Sequence, residues 1–167
     1  ITADTGHDVW FWMRSKSQAA DINKHHENSQ YLPGYKLNES VFATEDMVEA
    51  VSGSEVIFVA VPSSSFRQVV KEVVKHASAD AILVSTTKGI EPGTFLLMSQ
   101  VLKEEAPNAR IAVLSGPNLA KEIASKQLTG TVVASSDETV RDLVKNILKS
   151  EFFKVYANDD MFGVELG

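Results

Sequence analysis

Leu83–Gly93 reads LVSTTKGIEPG. The apolar run Ala81–Val84 breaks off at Ser85-Thr86-Thr87-Lys88-Gly89, so hydroxyls, an ammonium and a glycine stand where a buried strand would surface. In an open parallel sheet, ligands bind just outside the carboxyl ends of the strands. A lysine placed there can meet a phosphate or a polarised carbonyl. Gly89 permits a tight backbone path. Ser115-Gly116-Pro117-Asn118 repeats the layout: an apolar run (Arg110–Leu114), a glycine, then a helix expected to open at Asn118. On this reading Lys88 faces Ser115–Asn118 across the carboxyl edge of one sheet.

Working outward, the flanking segments alternate. Glu55–Val61 (EVIFVAV) is an apolar, β-branched run stopped by Pro62, with Ser63 or Ser64 as the expected cap of the next helix. Phe66, Val69, Val70, Val73, Val74 and Ala77 then fall at the spacing of an amphipathic helix. Thr94–Glu105 is expected to be helical, as are Asn118–Ser125 and the segment that Asp137 caps, with Val140, Leu143, Val144, Ile147 and Leu148 inward. Thr129–Ala134 and Phe152–Tyr156 read as strands. Towards the beginning, Gly6 caps a helix end and Val9–Met13 reads as a strand covered on both faces. Ser17–His26 has Ala19, Ala20 and Ile22 as its inner side. Pro33-Gly34 marks a turn, Val41–Ala43 is a short strand, and Thr44 is expected to cap the helix carrying Met47, Val48 and Val51. The alternation implies an α/β fold with a doubly wound, mostly parallel sheet, Rossmann-like in kind.

Composition narrows the class. The 167 residues suit one domain, and a net charge of −6 argues against a nucleic-acid surface while allowing a local anion site. With no cysteine, disulfides and thiolate metal sites are excluded, and the four histidines show no zinc-type spacing, so no metal is expected. No apolar run reaches membrane-spanning length, and the cytoplasm is the expected location. A dinucleotide fold should open with a strand and G-x-G-x-x-G, and that motif does not occur. Without the strand before it, Val9–Met13 and Glu55–Val61 would lack their shared central neighbour. The reading therefore expects a fragment, cut before Ile1 and after Gly167. Arg14 and Lys16, at the end of the Val9 strand, tilt toward NADP or toward use of both NAD and NADP, because a basic group there accommodates a 2′-phosphate.

Together, Gly6–Val9 with Trp12–Arg14, Tyr31–Gly34, Val59–Ser63, Thr87-Lys88-Gly89-Ile90-Glu91, Leu114–Glu122, Val155–Asp160 and Gly163–Gly167 resemble the bacterial-type NAD(P)-dependent glycerol-3-phosphate dehydrogenase family along essentially the whole chain. The resemblance implies reversible reduction of dihydroxyacetone phosphate to glycerol 3-phosphate, a step toward phospholipids. It implies that Lys88 touches cofactor and substrate, that Gly116 and Asn118 contact substrate, and that Arg14, Tyr31 and Ala120 contact NAD or NADP. It places the catalytic lysine outside this chain, in a G-x-L-K-N stretch of a helical domain after Gly167. Residues 1–167 are thus expected to form a partial dinucleotide-binding domain, inactive alone, with a small phosphorylated molecule as partner and a homodimer as the intact form. Two alternatives stand beside it: another NAD(P)-dependent hydroxyacid dehydrogenase, or a non-catalytic nucleotide-binding module.

Overall fold

A computed structural model describes residues 1–167 as seven strands and seven α-helices in near-strict alternation. Strands β1 (Val9–Trp12) and β2 (Val41–Thr44) pair in parallel as a separate ribbon. A second sheet runs β3 (Val56–Val59), β4 (Ile82–Ser85), β5 (Arg110–Ser115), β6 (Thr129–Ala134) and β7 (Phe153–Asn158) in that spatial order. All its pairs are parallel except β5–β6. The helices are α1 (Lys16–His25), α2 (Met47–Val51), α3 (Ser63–His76), α4 (Met98–Glu105), α5 (Ala120–Ala124), α6 (Glu138–Leu148) and α7 (Met161–Leu166).

Period-two alternation sorts the strand residues between two cores. Leu83 and Ile111 join α2, α3 and α4 in one cluster. Ile82, Val84 and Ala112 join Val140, Val144 and Leu148 of α6 in the other. Helices thus cover both faces of the sheet, as a doubly wound fold requires. β4 is buried along its whole length, which makes it the spine of the molecule.

Several local expectations change. Thr44 ends β2 instead of capping α2; Asp46 is the cap and accepts from Val48 N and Glu49 N. Neither Ser63 nor Ser64 caps α3, because both already lie inside it behind Pro62. α4 starts at Met98 instead of Thr94: Phe95 has a positive φ of 60° and is 73% exposed, which takes it out of any amphipathic face. Helix α7, unforeseen, is capped by Asp160, whose side chain accepts from Gly163 N. Ala20 points outward while Ala19 and Ile22 are buried under α1.

The ribbon departs most from expectation. Trp10 and Phe11 are 44% and 41% exposed, so β1 is not covered on both faces. Its small cluster (Met13, Ala19, Ile22, Ala43) lies under α1, while on the other side Trp10 packs on Phe42, ring centroids 5.4 Å apart. Between β1 and β3 lies a cavity of about 380 Å³, walled by Val9–Trp12 and Val56–Val61 and floored by Val51, Val69 and Val73. Sixteen of its 21 lining residues are hydrophobic, so it suits an apolar segment better than water. Val9 N and Met13 N donate to Ser40 O and Thr44 O, so these alternate residues face β2 and Trp10 and Trp12 turn their backbone groups to the cleft. Likewise Glu55 O and Val59 O accept from Ile82 N and Thr86 N, which leaves Val56 and Phe58 facing the cleft. Two open strand edges therefore border one apolar gap.

Candidate functional site

The buried β4 surfaces at Ser85, and the hydroxyls that follow serve the scaffold. Thr87 Oγ1 donates to Val61 O (2.7 Å) and accepts from Val61 N (3.3 Å), while Thr86 Oγ1 donates to Val59 O (3.3 Å). They stitch the carboxyl end of β4 to that of β3. Lys88, the next residue, is exposed, and its Nζ donates to Ser115 Oγ at 3.2 Å. Its partner is a neutral hydroxyl, so the ammonium keeps two further donors and its charge for a ligand. Gly89 follows with φ 92°, a conformation that a side chain would strain.

Beyond β5 the chain is locked to β6. Asn118 Nδ2 donates to Thr131 Oγ1 (2.9 Å), and Thr131 Oγ1 donates to Ser115 O (3.0 Å). Asn118 Oδ1 is left buried without a partner, an open acceptor two residues from Gly116 and three from Ser115. Asn118 does not cap a helix: α5 is only Ala120–Ala124, with Leu119 before it and no side-chain cap. Ala120, itself exposed, therefore opens a short helix. Gly116 has a packing reason to be glycine. A Cβ there would meet Gly130 O at 3.0 Å and Thr131 Cα at 3.1 Å. Both are backbone atoms of a central strand pair, so Gly116→Ala is expected to lower stability by about 1–3 kcal/mol. Thermal unfolding checks this; an unchanged midpoint would mean that β6 yields freely.

A second polar assembly holds the far side of the Lys88 loop. The Arg67 guanidinium grips Glu91 with Nε (2.7 Å) and Nη2 (2.8 Å). Nη2 also reaches Glu104 at 2.7 Å, and Nη1 bonds Glu105. Arg67, helped by the Thr94 hydroxyl, pulls the Glu91 carboxyl from an ordinary 4.5 to about 2. A carboxylate whose folded-state pKa is depressed stabilises the fold above its unfolded value and loses that contribution as pH falls through the folded one. The difference in urea midpoint between this chain and its Glu91→Gln variant is therefore expected to be full above pH 4.5 and to shrink steadily toward pH 2. A difference independent of pH in that window would contradict the pairing.

Arg14 and Tyr31 lie on the ribbon, away from this network. Arg14 follows β1 and is exposed, next to Ser15, which caps α1 by accepting from Gln18 N. Lys16, the other base of the pair, is engaged with Glu45 at 3.3 Å. Tyr31 is exposed on a loop that Asn28 closes. No three His, Cys, Asp or Glu side chains converge as metal ligands. No helix is long and apolar enough to cross a membrane.

Residues 1–141 match the family described as the N-terminus of NAD-dependent glycerol-3-phosphate dehydrogenase. The chain belongs to that family. It is 48% identical over 167 residues to the glycerol-3-phosphate dehydrogenase [NAD(P)+] of Teredinibacter turnerae, covering all of this chain and 49% of the relative. The enzyme of that name from Pseudomonas entomophila is 50% identical over 167 residues, with the same coverage. Among solved structures, the crystal structure of glycerol-3-phosphate dehydrogenase from Coxiella burnetii superposes with a TM-score of 0.93 at 31% identity, over 99% of this chain and 50% of that one. The chain spans about half the length of the curated relatives it matches.

Within the glycerol-3-phosphate dehydrogenase fold, Lys88 is joined to the Ser115–Asn118 turn directly, through Ser115. Arg14 and Tyr31 are not brought to that edge by any contact. Sequence reading missed Thr131, which orients Asn118, and Arg67, which holds Glu91. Thr131 sits in a strand of ordinary β-branched composition and Arg67 on the polar face of a helix, so neither carries a local signal. Glu91, three residues from Lys88 inside T-K-G-I-E, was the visible hint.

Proposed function

We propose that this chain forms most of the cofactor-binding domain of an NAD(P)-dependent glycerol-3-phosphate dehydrogenase, which interconverts dihydroxyacetone phosphate and sn-glycerol 3-phosphate. The observation that carries the reading is the Lys88 ammonium spanning from β4 to Ser115 beside the open acceptor Asn118 Oδ1. A ketone that gains negative charge, on a substrate bearing a phosphate, calls for a fixed cation. Lys88 supplies it to the substrate and to the nicotinamide end of the cofactor. Asn118 and the Gly116 backbone orient the substrate's hydroxyl-bearing carbons. Ala120, with no long side chain, leaves room for the cofactor. The nicotinamide, when bound, carries the hydride.

The residues present fit the two ends of a dinucleotide. Arg14, paired with no carboxylate, and Tyr31 suit the adenosine end, and Lys88 the other. The apolar gap between β1 and β3 has the lining and the open edges that a central strand would use, and a glycine-rich turn after such a strand would receive the pyrophosphate. The general acid for the ketone is assigned to a lysine of a second, helical domain. The place of the reaction is glycerophospholipid precursor synthesis in the cytoplasm, in a homodimer.

The test is NADPH oxidation by the full-length protein with dihydroxyacetone phosphate against a panel of non-phosphorylated keto acids. Preference for a keto acid would replace this reading with a hydroxyacid dehydrogenase. Arg14 favours NADP over NAD, so Arg14→Ala is expected to raise KM for NADPH by about tenfold, the scale of one charge-assisted contact, and to leave KM for NADH nearly unchanged. Equal effects on both cofactors would remove Arg14 from the 2′-phosphate.

A further inference from the structure

Lys88 is an exposed side chain immediately before a segment bounded by two positive-φ glycines, Gly89 (92°) and Gly93 (90°). Such a segment has many conformations open to it, yet the ammonium beside it must sit at one place to serve a reacting carbonyl. We propose that Arg67 is the positioning residue that fixes Lys88, acting through Glu91. The inference rests on the role given to Lys88 above.

Glu91 is the anchor because the chain after it closes on itself. Glu91 N donates to Leu96 O (2.8 Å) and Phe95 N to Glu91 O (3.0 Å), and Thr94 Oγ1 donates to the Glu91 carboxylate (2.5 Å). Holding Glu91 therefore holds the whole turn, and Lys88 lies three residues before it. Arg67 stands on α3, a rigid helix whose Phe66, Val69 and Val70 are buried in the core. The Arg67 and Glu91 side chains are 24% and 12% exposed, so the pair is partly shielded from water. The two-pronged grip on Glu91 needs the planar fork of arginine, which a lysine cannot reproduce.

The electrostatics give the device its direction. Three carboxylates (Glu91, Glu104, Glu105) converge on one guanidinium, with only Lys71 as further relief at 3.9 Å from Glu105. Remove Arg67 and Glu91 is not merely released; two acidic neighbours on α4 repel it, and the loop moves away from α3. Remove the Glu91 charge instead and an amide can still accept from the guanidinium. Arg67→Met is thus expected to do more harm than Glu91→Gln, with Arg67→Lys between them.

Two measurements test this. In the full-length protein, Arg67→Met is expected to speed amide hydrogen exchange across residues 88–96 while β4 and β5 keep their protection, and Glu91→Gln to do so less. In the full-length protein, Arg67→Met is expected to lower kcat/KM for dihydroxyacetone phosphate by roughly tenfold to 10²-fold, the scale of a misplaced catalytic group. A Lys88→Ala/Arg67→Met double variant is expected to be no slower than Lys88→Ala alone, because Arg67 works through Lys88. Losses that multiply in the double variant, or unchanged exchange at 88–96 in Arg67→Met and Arg67→Lys alike, would overturn the proposal. If Lys88→Ala itself keeps full turnover, the role of Lys88 in the proposed reaction fails instead, and the exchange arm still decides whether Arg67 holds the loop.

Discussion

Replacing Lys88 with alanine in the full-length protein is expected to cut kcat by about 10²–10³-fold, the cost of removing one preorganised donor from a developing oxyanion. The stability should barely move. Lys88 is exposed, makes no buried contact and donates only to the Ser115 hydroxyl, and surface substitutions of that kind stay within about 0.5 kcal/mol. The strand ends it spans are tied by other groups: Thr86 and Thr87 join β4 to β3, and Thr131 with Asn118 joins β5 to β6. Turnover and thermal unfolding measured on one preparation separate the two effects. A large drop in melting temperature with proportionate loss of activity would make Lys88 a structural residue. Lys88→Arg keeps the charge but changes its shape, and partial rescue is the expected result.

The second large effect concerns the gap between β1 and β3. Residues 1–167 alone are expected to bind NADPH more weakly than micromolar and to show no turnover with dihydroxyacetone phosphate. Extending the chain ahead of Ile1 with an apolar strand and a G-x-G-x-x-G turn should change both its stability and its affinity. The strand would pair with Trp10 and Trp12 on one side and with Val56 and Phe58 on the other, and bury its side chains against Val51, Val69 and Val73. Filling the gap with apolar side chains and pairing both open edges is expected to raise the melting temperature of the extended chain above that of residues 1–167. Micromolar NADPH affinity in the unextended chain, by fluorescence titration, would show that the gap is not where the cofactor's diphosphate needs support.

What the sequence revealed and what it hid follow from the range of the interactions. Phe66, Val69, Val70 and Val73 declare α3 through their spacing, and the buried run Ile82–Val84 declares β4, since both signals are local. The meeting of Lys88 with Ser115 was legible because strand ends in this kind of sheet line up on one edge. The cap of α2 was misread because Thr44 and Asp46 are both good cap residues two positions apart, and only the strand pairing of Thr44 decides between them. The antiparallel turn of β6 was not legible at all. It depends on how Gly116 fits against Gly130 and Thr131, a contact between residues fourteen or more apart. The exposure of Trp10 and Phe11 was hidden by composition: an apolar run reads as buried whether or not a neighbour exists to cover it.

The reversal at β6 has a practical use. β6 runs back along β5, so its far end comes out beside the beginning of β5: Ser135 Oγ donates to Ile111 O and Arg110 Nε pairs with Asp137 at 3.1 Å. Ser136, exposed between them, is then about 14 Å from Ser115 at the rise and strand spacing of a sheet. A dye or surface tether attached there through an introduced cysteine would have no native thiol to compete with it, since the chain has none. It would report on the sheet while leaving the Lys88 edge untouched.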